Sequence, residues 1–123
     1  MTDSFATLAD AARKVIDRCP WTTVRTVEEY VEYIRSEADE LVAAVADGDR
    51  QNVKEELGDL LFTVVVCMLL AERSGSFPAR EVMDGVVAKM RRRKPFVFDG
   101  TQVTVEEAKR LWAEEKAREK RSR

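Results

Sequence analysis

The stretch EADELVAAVADGDRQNVKEELGD, residues 37–59, decides how this chain is read. Gly48 separates two helical patterns, residues 27–46 and 50–72, and predicts an antiparallel helical hairpin that turns at the glycine. Positions equidistant from such a turn face each other, so Glu37 stands level with Asp59 and Glu40 with Glu56. Within each helix the two acids are three residues apart, which puts them on one face and one turn from each other. The hairpin thus gathers four carboxylates between two helices. A cluster of that kind repels itself unless a cation lies inside it or some of the acids are protonated.

The flanking residues argue that these acids point inward. Along the first helix their stripe reads Tyr30, Tyr33, Ile34, Glu37, Glu40, Leu41, Ala44 and Val45, apolar except for the two acids. The second helix continues beyond Asp59 as LLFTVVVCMLLA, residues 60–71, and is expected to be a buried core helix, being too short a run to span a bilayer. A solvated surface position is the ordinary alternative for any acid in a chain this rich in Asp and Glu.

A chain of 123 residues, 45% of them hydrophobic, suffices for one compact domain, expected to span residues 1–123. Its apolar helix exceeds what one subunit of this size needs to cover itself, which predicts a homo-oligomer. The net charge of -2 hides a segregation: residues 27–59 hold eleven acids and three bases, while Lys89, Arg91, Arg92, Arg93 and Lys94 crowd together. That pattern suggests a metal site and an anion site. The two cysteines, Cys19 and Cys67, are far apart and lack CxxC spacing, which points away from zinc and towards a reducing, cytoplasmic setting. The opening Met1-Thr2-Asp3-Ser4 has neither a basic lead nor a long apolar run, so neither a signal peptide nor a membrane anchor is expected.

Five helices in an all-α bundle account for the remaining pattern. The first, about 4–18, carries Phe5, Leu8, Ala12, Val15 and Ile16 at helical spacing and stops before Pro20. Thr26 with Glu29, and Thr104 with Glu107, are capping-box signatures that start helices near 27 and 105. A fourth helix, about 78–93, is expected to bury Val82, Val86, Val87 and Met90. After Pro95, Phe96-Val97-Phe98 is read as an extended segment anchored by its aromatics. The last helix, about 105–119, offers Ala108, Leu111 and Trp112 for packing, and the charged tail, 117–123, is expected to fray.

The chain has no histidine, which removes the usual zinc hydrolase ligands, the Glu-x-x-His ligands of di-iron bundles, and Ser/His or Cys/His nucleophiles. Hard oxygen ligands favour Mg²⁺, with Mn²⁺ as a substitute. Mg²⁺ commonly takes only one or two protein carboxylates and completes its shell with water and substrate phosphates, so four acids suggest more than one ion. Water activated by a metal is then the simplest nucleophile. On the fourth helix Lys89, Arg92 and Arg93 can share one side, where guanidinium groups match phosphate oxygens. A basic helix end that complements the helix dipole is the competing reading of those three residues.

Several motifs together carry a resemblance: Cys19-Pro20-Trp21, the SEADE run at 36–40, EELGDLLF at 55–62, Gly75-Ser76-Phe77, KMRRRKPFVF at 89–98, and Trp112 with Lys116. In this order they resemble the MazG-type nucleoside triphosphate pyrophosphohydrolases, over nearly all of residues 19–116. The resemblance implies an all-α NTP pyrophosphatase fold assembled as a dimer or dimer of dimers. It also implies Mg²⁺-dependent hydrolysis of a nucleoside triphosphate to the monophosphate and pyrophosphate, in house-cleaning of the nucleotide pool. Glu37, Glu40, Glu56 and Asp59 fall on its metal-ligand positions, and Lys89, Arg92 and Arg93 on its basic substrate-contacting stretch. Glu37 and Glu40 are both candidates to take the proton of the attacking water. Trp21 and Trp112 are candidates to stack on the base or to pack in the core, and Lys116 matches the W-E-x-x-K pattern.

The chain departs from that pattern at Ser36, where the first glutamate of E-E-x-x-E is expected, at Thr22 and Arg25 after the C-P-W motif, and at Lys94 and Phe96, where histidines are usual. These changes leave the metal core and bear on the nucleobase pocket. Open alternatives are a related pyrophosphohydrolase acting on dUTP or phosphoribosyl-ATP, and a helical nucleotide-binding assembly with weakened catalysis. The acidic balance and the lack of a recognisable module weigh against nucleic acid as a partner.

Overall fold

A computed structural model describes residues 3–123; Met1 and Thr2, from the stretch read as carrying no leader, lie outside them. Among the described residues there are six α-helices, one 3₁₀ turn and no strand: α1 (Ser4–Arg18), the turn Thr22–Val24, α2 (Val27–Asp47), α3 (Arg50–Arg73), α4 (Ala79–Arg93), α5 (Pro95–Asp99) and α6 (Val105–Arg121). The chain divides into two compact units, one ending at Ala79 and the other spanning Arg80–Arg123.

Local chemistry explains the first unit. Asp3 caps α1 by accepting from the N–H groups of Phe5 and Ala6, and the chain leaves the helix in extended conformation at Cys19, as the following Pro20 requires. Thr26 and Glu29 form the complete capping box expected at the start of α2. Asp47, Gly48 and Asp49 then make the hairpin turn. Gly48 ends α2 in the left-handed region at φ 73°, and Asp49 starts α3 by accepting from the N–H groups of Gln51 and Asn52.

Ala12 and Ile16 of α1, Tyr30 of α2, and Val66, Leu69 and Leu70 of α3 form the core together with Ala79. Arg13 pairs with Glu72 at 3.1 Å, and Arg73 donates to the Thr23 carbonyl at 2.8 Å, tying the end of α3 to α1 and to the 3₁₀ turn. Burial on α3 is narrower than expected. Val66, Leu69, Leu70 and Ala71 are buried, but Leu57, Leu61 and Val64 lie 52%, 41% and 41% exposed, because α1 and α2 leave one side of α3 without a neighbour. Among the described residues no helix is long and apolar enough to cross a membrane.

Three expectations for the second unit change. Val82, Val86 and Val87 of α4 are exposed rather than buried, with only Met90 of that set half-covered, since within the second unit neither α5 nor α6 closes over the stripe. Phe96-Val97-Phe98 is helical, not extended. Pro95 opens α5 with a backbone angle suited to a first helical turn, and Gly100 closes it at φ 81°. Phe98 then lies under the Arg91 guanidinium, 4.4 Å away. The tail read as fraying is helical through Arg121: Arg118 pairs with Glu115, Glu119 with Arg93, and basic residues occupy the last turn of α6, where they complement its dipole.

Candidate active site

In the first unit the α2–α3 hairpin brings three of the four expected acids together. One carboxylate oxygen each from Glu37, Glu56 and Asp59 lies within 4.8 Å of the others. Glu40 and Asp59 are exposed rather than turned inward, because this part of the hairpin is open to solvent, and Glu40 lies outside the group of three, although its charge acts on Glu37 and Glu56. Glu37 on α2 thus meets both acids of α3, Glu56 as well as Asp59.

The electrostatics of the cluster are unbalanced. Burial, followed by the charges of Glu40 and Asp59, pushes the Glu37 carboxyl above its usual range. Glu56 is raised by burial and then by Glu40, Asp59 and Glu37. Glu37 Oε2 and Glu56 Oε2 are buried side-chain oxygens without a hydrogen-bond donor. Such atoms are costly unless something positive meets them. Hard, anionic, undersatisfied oxygens at this spacing fit a divalent cation of the Mg²⁺ or Mn²⁺ kind.

Beside this cluster stands an aromatic group. Trp21 meets Tyr33 edge-on at 5.5 Å, and Tyr33 lies 5.4 Å from Tyr30. Tyr33 is one turn before Glu37 on α2. Trp21 is 47% exposed, with the Arg25 guanidinium over its ring at 4.9 Å, so it both packs and presents aromatic surface. Ser36 is exposed next to Glu37.

In the second unit Lys89 is half-buried, with no carboxylate in ion-pair range among the described residues. The two arginines are not equivalent to it. Arg93 is buried and holds Glu119 at 2.9 Å, while Arg92 stands 3.4 Å from Glu119 and 3.7 Å from Glu115. The Arg93 guanidinium and the Lys94 ammonium lie over Trp112, 4.8 and 5.2 Å from the ring centre. Lys116, one turn further along α6, is exposed.

Glu119 escaped the reading of the sequence because it sits in the segment 117–123, read as a charged, fraying tail, and Glu115 because it stands among the charged residues of the last helix. A signal was present: Trp112, Glu115 and Glu119 recur at helical spacing, which puts two acids on the face of the packing tryptophan.

The family model of the MazG nucleotide pyrophosphohydrolase domain matches residues 25–98. The chain is 30% identical over 119 residues to the nucleoside triphosphate pyrophosphohydrolase of Escherichia coli K12, covering 96% of this chain and 45% of that protein. It is 34% identical over 104 residues to the protein of the same name from Mycolicibacterium smegmatis, covering 83% of this chain and 32% of the relative. The chain thus spans less than half the length of these relatives. A crystal structure of a mazG-related protein from Thermotoga maritima superposes with a TM-score of 0.85 at 28% identity, covering 91% of this chain and 98% of that one. The family match takes in more than half of the chain, including all four acids of the hairpin, and the chain belongs to the MazG nucleotide pyrophosphohydrolase domain family.

Proposed function

We propose that this chain is a Mg²⁺-dependent nucleoside triphosphate pyrophosphohydrolase, releasing a nucleoside monophosphate and pyrophosphate, and that it serves to clear unwanted nucleotides from the pool. The observation that carries this reading is the pair of buried, donorless oxygens, Glu37 Oε2 and Glu56 Oε2, beside Asp59. Mutually repelling carboxylates with no ion-pair partner among the described residues support a cation at this place.

Glu37, Glu56 and Asp59 would hold the ion, with Glu40 completing the set. When bound, Mg²⁺ supplies charge neutralisation for the polyphosphate and a more acidic water. Glu37 and Glu40 are the candidates to take up the proton of a water attacking the α-phosphorus, with pyrophosphate as the leaving group. Lys89, Arg92 and Arg93 are assigned to the phosphate charge, a task for fixed cations that need no rearrangement as charge develops. Trp21 offers an exposed aromatic surface to a base, and Trp112 and Lys116 are the further candidates for substrate contact.

The same reading includes a homodimer or tetramer. Leu57, Leu61 and Val64 on α3 and Val82, Met83, Val86 and Val87 on α4 leave more large apolar surface open than a small monomer usually carries. A cytoplasmic setting suits the two free thiols, Cys19 and Cys67.

Pyrophosphate release from a panel of canonical and damaged nucleoside triphosphates, with dUTP and phosphoribosyl-ATP included, tests the function. Turnover that requires Mg²⁺ and disappears in Glu37→Gln and Glu56→Gln, both still helical, supports it. Variants as active as the parent chain would remove the acids from the reaction.

A further inference from the structure

Glu119 is a mostly covered carboxylate in an otherwise basic helix end, and it touches two arginines at once. Its Oε1 accepts from Arg93 Nη2 at 2.9 Å, and its Oε2 accepts from Arg93 Nε and from Arg92 Nε, each at 3.4 Å. The Glu119 side chain is 14% exposed and that of Arg93 10%, so this pair is not the solvent-exposed kind that contributes little. The face of the Arg93 guanidinium lies over Trp112 at 4.8 Å. One edge and one face of Arg93 are thereby fixed.

Arg92 and Arg93 are adjacent in sequence, and two guanidinium groups held side by side repel each other. A carboxylate oxygen shared between their Nε atoms offsets that repulsion. It also restrains two long side chains that would otherwise keep much of their rotamer freedom. Arg93 Nη1 and both terminal nitrogens of Arg92 have no hydrogen-bond acceptor among the described residues. The bridge therefore occupies the inner edges of the two groups and leaves outer N–H groups for a ligand with several oxygens.

We propose that Glu119 is a positioning residue for the nucleoside triphosphate: it clamps Arg93 against Trp112, and Arg92 beside it, so that their outer N–H groups meet phosphate oxygens together. This rests on the reading of Arg92 and Arg93 as phosphate contacts. Glu119 itself touches no substrate. Its carboxyl is held below the usual range, first by the hydrogen bond from Arg93, so the clamp persists at neutral pH.

The test compares the full chain with Glu119→Gln, Glu119→Asp and Arg93→Lys, each checked for helicity and unfolding midpoint. In Glu119→Gln, KM for the triphosphate should rise about tenfold while kcat changes less than about threefold, the mark of a lost binding interaction rather than lost chemistry. Glu119→Asp, which keeps the charge, should recover part of the affinity. In an Arg93→Lys background the Gln substitution should add little, because its effect passes through Arg93. A lowered midpoint with unchanged KM would reduce Glu119 to a purely structural tie. A lowered KM would make it a competitor of the phosphate and overturn the proposal in the opposite sense. Should the parent chain turn over no triphosphate, the functional reading fails by itself, and Glu119 is judged by calorimetric binding of inorganic tripolyphosphate with Mg²⁺. That binding must be measurable in the parent and about tenfold weaker in Glu119→Gln, or the positioning role falls as well.

Discussion

Glu37 and Glu56, on facing helices of the α2–α3 hairpin, each turn one oxygen into a buried place where no donor reaches it. Both carboxyls sit above their usual range because burial disfavours the charged form and neighbouring acids add to the penalty. The hairpin is thus locally unfavourable without a cation. Stability has been given up at one point on an otherwise well-capped pair of helices.

The pH dependence of the cation-free protein follows from this. A carboxyl raised on folding binds more protons in the native than in the unfolded state, so its contribution to stability falls as pH rises. The penalty is absent well below the ordinary value of 4.5 and is complete once pH has passed the raised native values. In EDTA, Glu56→Gln should therefore gain on the parent chain in unfolding midpoint as pH rises from about 4.5 to neutrality. Mg²⁺ should reverse the order at neutral pH. A midpoint difference that ignored both pH and Mg²⁺ would place these acids outside any cation site.

Activity should respond more steeply than stability. Glu37→Gln and Glu56→Gln each remove a charge from the centre of the cluster, and loss of one such preplaced electrostatic partner commonly costs about 100-fold or more in rate. Pyrophosphate release at saturating Mg²⁺ measures it.

Much of this site was legible in the sequence because a helical hairpin has simple geometry. Gly48 fixed the turn, and equal distances from it set Glu37 opposite Asp59 and Glu40 opposite Glu56; three of these acids, Glu37, Glu56 and Asp59, come within 4.8 Å of one another, while Glu40 stays outside that group. Capping chemistry at Thr26 and the break at Pro20 gave helix ends for equally local reasons. What failed was non-local. Val82, Val86 and Val87 have the spacing of a buried stripe, but periodicity says only that a face is apolar, not whether this chain contains the element that covers it. Phe96-Val97-Phe98 looked extended by residue type, whereas Pro95 and Gly100 at its two ends set a short helix. Glu119 was missed because its partner, Arg93, lies 26 residues away, beyond any local pattern.

Gly48→Ala tests the hinge. The glycine sits at φ 73°, and a Cβ built there meets nothing within 4 Å, so the cost is confined to the backbone. A destabilisation of about 1–2 kcal/mol is expected, with less for Asn, which tolerates the left-handed region better. Denaturant titration with an unchanged m-value measures it.

Leu70 and Leu61 lie on the same helix and should behave differently. Leu70 is buried in the core of the first unit, and Leu70→Ala should cost about 2–5 kcal/mol. Leu61 is exposed, so Leu61→Lys should leave the helicity of the chain intact. If the open face of α3 is the contact between copies, that charge should move the protein to a smaller species in light scattering. An unchanged assembly would direct attention to Val82, Met83, Val86 and Val87 on α4.

Glu72 gives the opposite pH sign from the hairpin acids. Its carboxylate accepts the Ala79 N–H at 2.7 Å and pairs with Arg13 at 3.1 Å, and these two bonds, the backbone one first, hold its pKa below the usual range. A carboxyl depressed on folding stabilises the native state fully above the ordinary carboxylate range. That contribution is lost as pH falls through the depressed native value. Glu72→Gln should accordingly lower the unfolding midpoint at neutral pH. Because the neutral amide keeps an acceptor for Ala79 but not the charge facing Arg13, the loss should be smaller than in Glu72→Ala. The gap between parent and Gln variant should close only as pH falls below the ordinary carboxylate value, whereas the gap for Glu56→Gln in EDTA, of opposite sign, has nearly closed by the time that value is reached. Scanning both variants through one pH series separates a carboxylate that the fold satisfies from one whose buried oxygen it leaves without a donor.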